Sequence, residues 1–235
     1  MRSSLELPMF STAKLFENKK LCHRFFYKIN SQEEEVDFST PVNSELVSLI
    51  LDEFSLKKVL FLNQTHSDHV LIYPSSKGYK GADSIITNAK NVGLIIRHAD
   101  CQAALFYDPI KEVIAAVHAG YKGQAQFIYT HTIKKMTDQF GSSPKDIGVA
   151  ISAGLGINHS EFINYQNEFP KELHKYNQEG FMDLKKMAFD ELITAGLLKE
   201  HIDIDPRCSY EQQSLFYSYR KDKTPKRMAS FISLI

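Results

Sequence analysis

Between Gly93 and Gly123 the chain reads GLIIRHADCQAALFYDPIKEVIAAVHAGYKG, and no other stretch limits the possible folds as tightly. Val92–Ile96 and Val113–Val117 are apolar runs with the length and β-branched content of buried strands. The first leads through Arg97, His98, Ala99 and Asp100 to Cys101. The second ends at His118, followed at once by Ala119-Gly120 and a helix-like segment. Upstream, a third strand, Val59–Leu62, runs into Gln64-Thr65-His66. Strand ends that meet in one cleft would bring a thiol and two imidazoles together, and His66, Cys101 and His118 would then make an open three-ligand zinc site.

The flanking pattern mixes the two kinds of element. Ser44–Phe54 repeats apolar residues at Leu46, Leu49, Ile50 and Phe54, which suits an amphipathic helix. Lys57–Leu62, Val70–Tyr73, Ser84–Thr87 and Ile147–Ile151 read as strands. Tyr121–Phe140 reads as one helix stopped by Gly141 and a Ser-Ser-Pro turn, and Asn167–Asn177 and Leu184–Ala195 read as two more. Ser214–Tyr219 and Arg227–Ile232 read as a closing pair of strands. Neighbouring strands that lack a helix between them indicate mixed β-sheets covered by helices, an α/β fold of the α+β type. No repeat, linker or break in composition divides the chain, whose length suits one large domain or two small ones; a single domain over residues 1–235 is the expectation carried forward.

Composition narrows the partners. Lys plus Arg and Asp plus Glu both number 28, so the formal charge is zero and no global basic field is available to hold nucleic acid or an anionic membrane. No apolar run approaches the roughly 20 residues of a membrane helix, and the N-terminal MRSSLELPMFSTAK lacks an apolar signal core. Three widely spaced cysteines, Cys22, Cys101 and Cys208, do not form a disulfide framework. A cytoplasmic protein acting on small molecules is expected.

Each candidate residue has an ordinary reading beside the chemical one. Buried cysteine commonly acts as a small hydrophobe. At Cys101, however, Asp100 and His98 stand close by, and a bound metal explains a thiol among such neighbours better than space-filling does. His118 could cap its strand by bonding a loop carbonyl, but the small residues after it favour close approach of backbone or ligand. His66 and His69 in QTHSDHV are both available as ligands. Asp68 and Asp100 could orient ligand imidazoles, and Asp100 could alternatively move a proton. A helix starting after Gly120 offers free amides to an anion, with Tyr121 and Lys122 as phosphate-binding candidates; the alternative is a plain helix start with a surface lysine. Lys28 and Arg97 could line the cleft and bind substrate, and His23 could line it. Arg220 could support it, although a solvated salt-bridged turn with Asp222 is its ordinary reading, and His159 and Glu161 could face the site. Cys22 and Cys208 have no ligand-like neighbours and read as structural.

Several of these segments resemble the YfiH-like laccase-domain family, described as multicopper polyphenol oxidases and including purine nucleoside phosphorylases and peptidoglycan editing factors. The likeness rests on Gln64-Thr65-His66, Gly81-Ala82-Asp83, Ala99-Asp100-Cys101 and His118-Ala119-Gly120-Tyr121-Lys122-Gly123. It continues through Gly154-Leu155-Gly156, Glu161, Cys208-Ser209 and Ser218-Tyr219-Arg220, so it runs from about Cys22 to the C-terminus. It implies a layered α/β/β/α arrangement, and it selects His66 over His69, with Cys101 and His118, as ligands of zinc (copper in older descriptions). It also implies phosphorolysis of adenosine, inosine and methylthioadenosine, with hydrolytic deamination of adenosine. In that chemistry Cys101 is a metal ligand, while the catalytic parts expected of Asp100 and Lys122 rest on the residues themselves. The chain departs from the family where Trp-Arg is usual and Tyr121-Lys122 stands, where Pro-Cys-Cys is frequent and Ile157-Asn158-His159 stands, and at Tyr27-Lys28-Ile29-Asn30, which lacks two glycines. Two rival readings follow: an amidase removing L-serine from a muramic acid precursor, and a metal-binding protein without activity. Phenol oxidation by several coppers would need H-x-H pairs, and none of the nine histidines forms one.

Overall fold

The computed structural model describes residues 5–17, 20–74 and 81–235. In chain order its strands are β1 (Phe10–Ser11), β2 (Leu21–Phe26), β3 (Lys58–Phe61), β4 (Val70–Ile72), β5 (Ser84–Thr87), β6 (Val92–His98) and β7 (Gln102–Asp108). They continue with β8 (Val113–Ala119), β9 (Gly148–Ile151), the short pair β10 (Asn177–Gln178) and β11 (Phe181–Met182), then β12 (Ile202–Ile204) and β13 (Met228–Leu234). The helices are α1 (Ser44–Glu53), α2 (Tyr121–Ala125), α3 (Ile128–Phe140), α4 (Tyr165–Glu168), α5 (Leu184–Thr194) and α6 (Tyr219–Asp222).

Two mixed sheets result, ordered β1-β2-β13-β6-β3 and β12-β9-β7-β8-β5-β4. Because side chains alternate along a strand, β6 turns Leu94 and Ile96 towards the second sheet and Ile95 away from it. Leu94 and Ile96 pack with Leu105, Ile114 and Ala116 in the layer between the sheets. Ile95 and Phe231 instead meet Leu46 and Ile50 of α1. On the far face of the second sheet, Phe106, Val117 and Val149 pack under Ile133 and Met136 of α3 and Leu192 of α5. Central strands β6, β7 and β8 are thus apolar on both faces, which is why their sequences run almost without alternation. The helix, sheet, sheet, helix order is the layered α/β/β/α arrangement expected. Among the described residues, no helix is long and apolar enough to cross a membrane.

Four sequence expectations change. Gln102–Asp108, absent from the strand assignment, is the central strand β7, paired to both β8 and β9; Phe106 and Tyr107 suit a strand, and the pairing on both sides carries it through Ala103 and Ala104. Tyr121–Phe140 is two helices, because Phe127 adopts a left-handed conformation (φ 58°) and breaks the run. Asn167–Asn177 is not a helix: Pro170 separates the four-residue α4 from a 3₁₀ stretch, Lys171–Tyr176. Ser214–Tyr219 forms no strand, and the closing strand β13 pairs with β2 and β6 instead.

Candidate metal centre and its cleft

The pairing of the strands brings the three ligand candidates together. β3 runs parallel to β6, so the loop after β3 leaves at the same end as Arg97. The Gln64 side chain prolongs that pairing: its carbonyl accepts from Arg97 N at 3.0 Å and its amide donates to Arg97 O at 2.7 Å. This fixes the loop on which His66 sits, in a left-handed conformation (φ 57°). The turn after β6 crosses from one sheet to the other, with Asp100 also left-handed (φ 73°), and Cys101 follows just before β7. β7 pairs antiparallel with β8, with Gln102 opposite Ala119 and Ala103 opposite His118. Cys101 therefore arrives beside the end of β8. The ligand atoms of His66, Cys101 and His118 all lie within 4.8 Å of one another, and the two imidazole rings stand edge to face with centroids 4.8 Å apart.

Asp83 holds the arrangement. β5 pairs antiparallel with β8, so the residue before β5 falls next to His118, whose Nδ1 lies 2.8 Å from the carboxylate. The same carboxylate, fully buried, accepts the backbone N–H groups of Thr65 (3.1 Å), His66 (3.0 Å) and Ser67 (2.6 Å) and the Ser67 hydroxyl (2.8 Å). One carboxylate thus orients one ligand ring and pins the loop carrying another, the arrangement that commonly supports a metal-binding histidine. Burial opposes its charge, but the bonds from His118 and Ser67 outweigh burial and hold its pKa well below the usual carboxylate range.

With Nδ1 engaged by Asp83, Nε2 is the nitrogen His118 can offer to a metal. Burial would lower its pKa, but the hydrogen bonds to Asp83 and Cys101 raise it to about 9. Burial would likewise raise the Cys101 thiol, yet hydrogen bonds from His118 and His66 bring it down to about 6. The metal-free centre thus favours a thiolate beside a protonated His118, and a metal binding there would take the place of that proton. Two imidazole nitrogens and one thiolate are a donor set suited to zinc, and copper accepts the same atoms. The residues present fit the metal.

The centre opens into a cleft of about 920 Å³, within the range of small-molecule sites. Tyr121, Leu155, Phe162 and Leu184 give it apolar and aromatic surface. Arg97, Arg220, Lys223 and Arg227 give it positive charge, and Asp100 is the one carboxylate among the described residues lining it. Such a cleft can take a flat ring together with an anion.

Of the residues singled out in the sequence, His66, Arg97, Asp100, Cys101, His118, Tyr121 and Arg220 line this cleft. Lys122 does not: it is exposed, with its ammonium 5.9 Å from the centre of the Tyr121 ring. Lys28 does not either; its ammonium lies 3.4 Å from the Glu35 carboxylate and over Tyr217. The supposed helix N-terminus for an anion is the five-residue α2, too short to act as one. Asp100 touches neither ligand imidazole, since its carboxylate accepts from Ser209 Oγ at 2.7 Å and Arg220 N at 2.6 Å. Asp68 pairs with His131. His23 accepts from Ala13 N at 2.8 Å, and burial keeps it neutral, with its pKa lowered to about 4. Cys208, expected to lack ligand-like neighbours, lies with His159 and Glu211.

Sequence reasoning gave no role to Asp83 or Arg227. Asp83 was visible inside Gly81-Ala82-Asp83, directly before a strand, but its partner His118 is 35 residues away. Arg227 falls beside His98 and Arg97 only because β13 pairs antiparallel with β6, with Met228 opposite His98. That pairing was misassigned.

Gly120 supplies a sharp test of the geometry. A Cβ there would lie 2.7 Å from His66 Cδ2 and 3.3 Å from Cys101 Sγ, although the backbone (φ −70°) would tolerate alanine. Gly120→Ala is therefore expected to displace a ligand ring and lower zinc affinity at least about 10-fold, with a smaller effect on thermal stability. Zinc titration with parallel thermal unfolding checks it; unchanged affinity would mean that His66 does not bind the metal from this position.

The family profile described as "Multi-copper polyphenol oxidoreductase laccase" matches residues 22–235. Purine nucleoside phosphorylase YlmD of Bacillus subtilis is 31% identical over 222 residues, covering 79% of this chain and 74% of the relative. A purine nucleoside phosphorylase of Clostridium acetobutylicum is 32% identical over 225 residues, covering 89% and 92%. The crystal structure of the YfiH protein of Bacillus licheniformis shares the fold with a TM-score of 0.80 at 23% identity, covering 93% of this chain and 94% of that one. YlmD from Geobacillus stearothermophilus superposes with a TM-score of 0.79 at 22% identity, covering 94% of each chain.

Proposed function

The chain belongs to the multi-copper polyphenol oxidoreductase laccase family, and from that premise and the cleft we propose that it is a zinc-dependent purine nucleoside enzyme. Its reactions are phosphorolysis of adenosine, inosine and methylthioadenosine and hydrolytic deamination of adenosine. The observation that carries this reading is a three-donor centre, His66, Cys101 and His118, opening into a cleft that holds arginines and aromatic rings together. Relatives named purine nucleoside phosphorylase support it.

In this reading Tyr121 and Phe162, whose ring centroids are 5.0 Å apart, offer the purine an aromatic wall. Arg97, Arg220 and Arg227 receive the phosphate that attacks the ribose carbon as the purine leaves. When bound, zinc supplies a Lewis acid at the end of the cleft. Asp100 is a positioning residue: it ties the turn before Cys101 to the backbone of Arg220. Each of its oxygens is held by one donor, Ser209 Oγ and Arg220 N, which fixes the carboxylate and favours positioning over the proton transfer expected of it. His98 is kept neutral by burial, with the nearby His118 and Arg227 charges adding to the effect and its pKa lowered to about 3. It presents an uncharged imidazole beside the centre.

The anion assignment yields a test. Arg227 Nη1 is occupied by the Thr224 and Lys226 carbonyls, which aims the guanidinium while leaving its other donors for a ligand. A charged hydrogen bond contributes about 1.5–3 kcal/mol, so Arg227→Ala is expected to raise the half-saturating phosphate concentration about 10- to 100-fold. Deamination, which needs no phosphate, should change far less, and Lys122→Ala should leave both reactions nearly unchanged. Purine release and inosine formation from adenosine, followed across a phosphate series, separate these outcomes. A phosphate defect in Lys122→Ala but not in Arg227→Ala would move the anion site to α2. Failure of the native protein to turn over any purine nucleoside with zinc bound would overturn the functional reading.

A further inference from the structure

We propose that His159, Cys208 and Glu211 form a second metal site, for zinc or a similar borderline divalent cation, that staples the rim of the cleft. Their ligand atoms also lie within 4.8 Å of one another, and they arrive from separate segments. His159 ends the 3₁₀ turn Ile157–His159, while Cys208 and Glu211 are three apart in a turn closed by Gln212 N donating to Cys208 O at 3.0 Å. Such a turn turns both donors the same way. Imidazole, thiolate and carboxylate are the three ligand types zinc combines in proteins, with the remaining position left to water.

The surroundings of the donors fit a ligand better than a packing role. Cys208 is buried, and its sulfur accepts the backbone N–H of Gly156 at 3.1 Å, which fixes the position of the sulfur. The approach depends on glycine, because a Cβ at position 156 would lie 3.2 Å from Cys208 Cβ and 3.3 Å from its sulfur. The His159 ring stacks on Tyr210 with centroids 4.0 Å apart and planes 13° apart, which fixes its orientation. Its Nε2 lies 3.0 Å from Glu211 Oε1. A simple pairing of His159 with Glu211 accounts for those two side chains but gives the Cys208 sulfur beside them no part beyond its contact with Gly156 N. One cation binds all three, with the Cys208 proton released to solvent.

A cation here would join the 154–162 segment to the 208–220 segment. The first contributes Leu155 and Phe162 to the cleft; the second contributes Arg220 and, through Ser209, the bond to Asp100. The two segments already touch through the Gly154 and Cys208 backbones and through Arg220 Nη1, which donates to Glu161 O at 3.1 Å. The metal would lock this contact.

The test loads the full chain with cobalt or zinc, removes loosely held ion by gel filtration, and counts what remains. The expected result is about two equivalents in the native protein and about one in Cys101→Ser. A thiolate-to-cobalt absorption band should persist in Cys101→Ser and disappear when Cys208→Ser is added. Because Cys208 is buried, His159→Gln and Glu211→Gln, each made in the Cys101→Ser background, provide variants at solvent-reaching positions. Each should lower retained cobalt at least about 10-fold in affinity while the circular dichroism spectrum stays native. Absence of metal and of the thiolate band in natively folded Cys101→Ser would overturn the proposal, as would retention of both in the His159 and Glu211 variants. Neither result would bear on the centre at His66, Cys101 and His118.

Discussion

Cys101→Ser is expected to remove about one equivalent of zinc and to lower nucleoside turnover at least about 100-fold. The thiol occupies a site that already favours its ionised form: burial works against the charge, but hydrogen bonds from His118 and His66 bring the pKa to about 6. Serine offers a hydroxyl that does not ionise near neutral pH, so the metal would lose its one anionic donor and keep two neutral ones. The cost falls on affinity first, because the ligand set of an open site has no spare member. His118 is affected as well, since its raised pKa draws on Cys101 in addition to Asp83. Without the thiolate, the ring has less reason to stay aimed at the centre. Elemental analysis and a steady-state assay on the same preparations read the two losses together. Cys22→Ser is the control: that thiol lies in β2, half-buried among the residues packed on α1, and its replacement should change neither quantity. Full zinc and full turnover in Cys101→Ser would remove Cys101 from the centre and with it the proposed chemistry.

What could be read in the sequence was set by range. The clustering of His66, Cys101 and His118 was legible because each follows an apolar run that forms a strand on its own pattern, and strand ends converge in layered sheets; the choice of His66 over His69 came from the family resemblance. Helix α1 was legible for the same reason, its apolar period being complete within ten residues. Assignments failed where distant pairing overrules local preference. Gln102–Asp108 is a central strand because β8 and β9 flank it, and neither neighbour can be inferred from the segment itself. β13 closes the first sheet between β2 and β6, so the basic stretch before it delivers Arg227 to the cleft from the far end of the chain. Lys122 illustrates the converse. It sits beside a ligand in sequence, yet α2 carries its side chain outward, and proximity along the chain misled.

Asp83→Asn tests whether the centre is preorganised, and its expected effect extends to the fold. Every group that meets the Asp83 carboxylate is a donor: three backbone amides, the Thr65 and Ser67 hydroxyls and the His118 ring. An asparagine has one accepting oxygen, so in either orientation its NH₂ must face some of these N–H groups. Leaving buried donors unsatisfied costs about 1–3 kcal/mol each, and breaking a buried charged pair about 3–5 kcal/mol. A destabilisation of about 3–5 kcal/mol is expected, at about 2–4 °C of Tm per kcal/mol for a chain of this size. Zinc affinity should fall about 10- to 100-fold as His118 loses its orienting partner and the His66 loop its anchor. The pH dependence has a definite sign. The folded pKa of Asp83 lies below its ordinary value of 3.8, so its contribution is complete above that value and is lost as pH falls through the folded pKa. Asp83→Asn should therefore be less stable than the native protein at neutral pH, and the gap should narrow in strong acid. Thermal unfolding across pH, paired with zinc titration at neutral pH, measures both effects. A variant with native Tm and native zinc affinity would show that the carboxylate only fills a polar gap, and that the ligands hold their places without it.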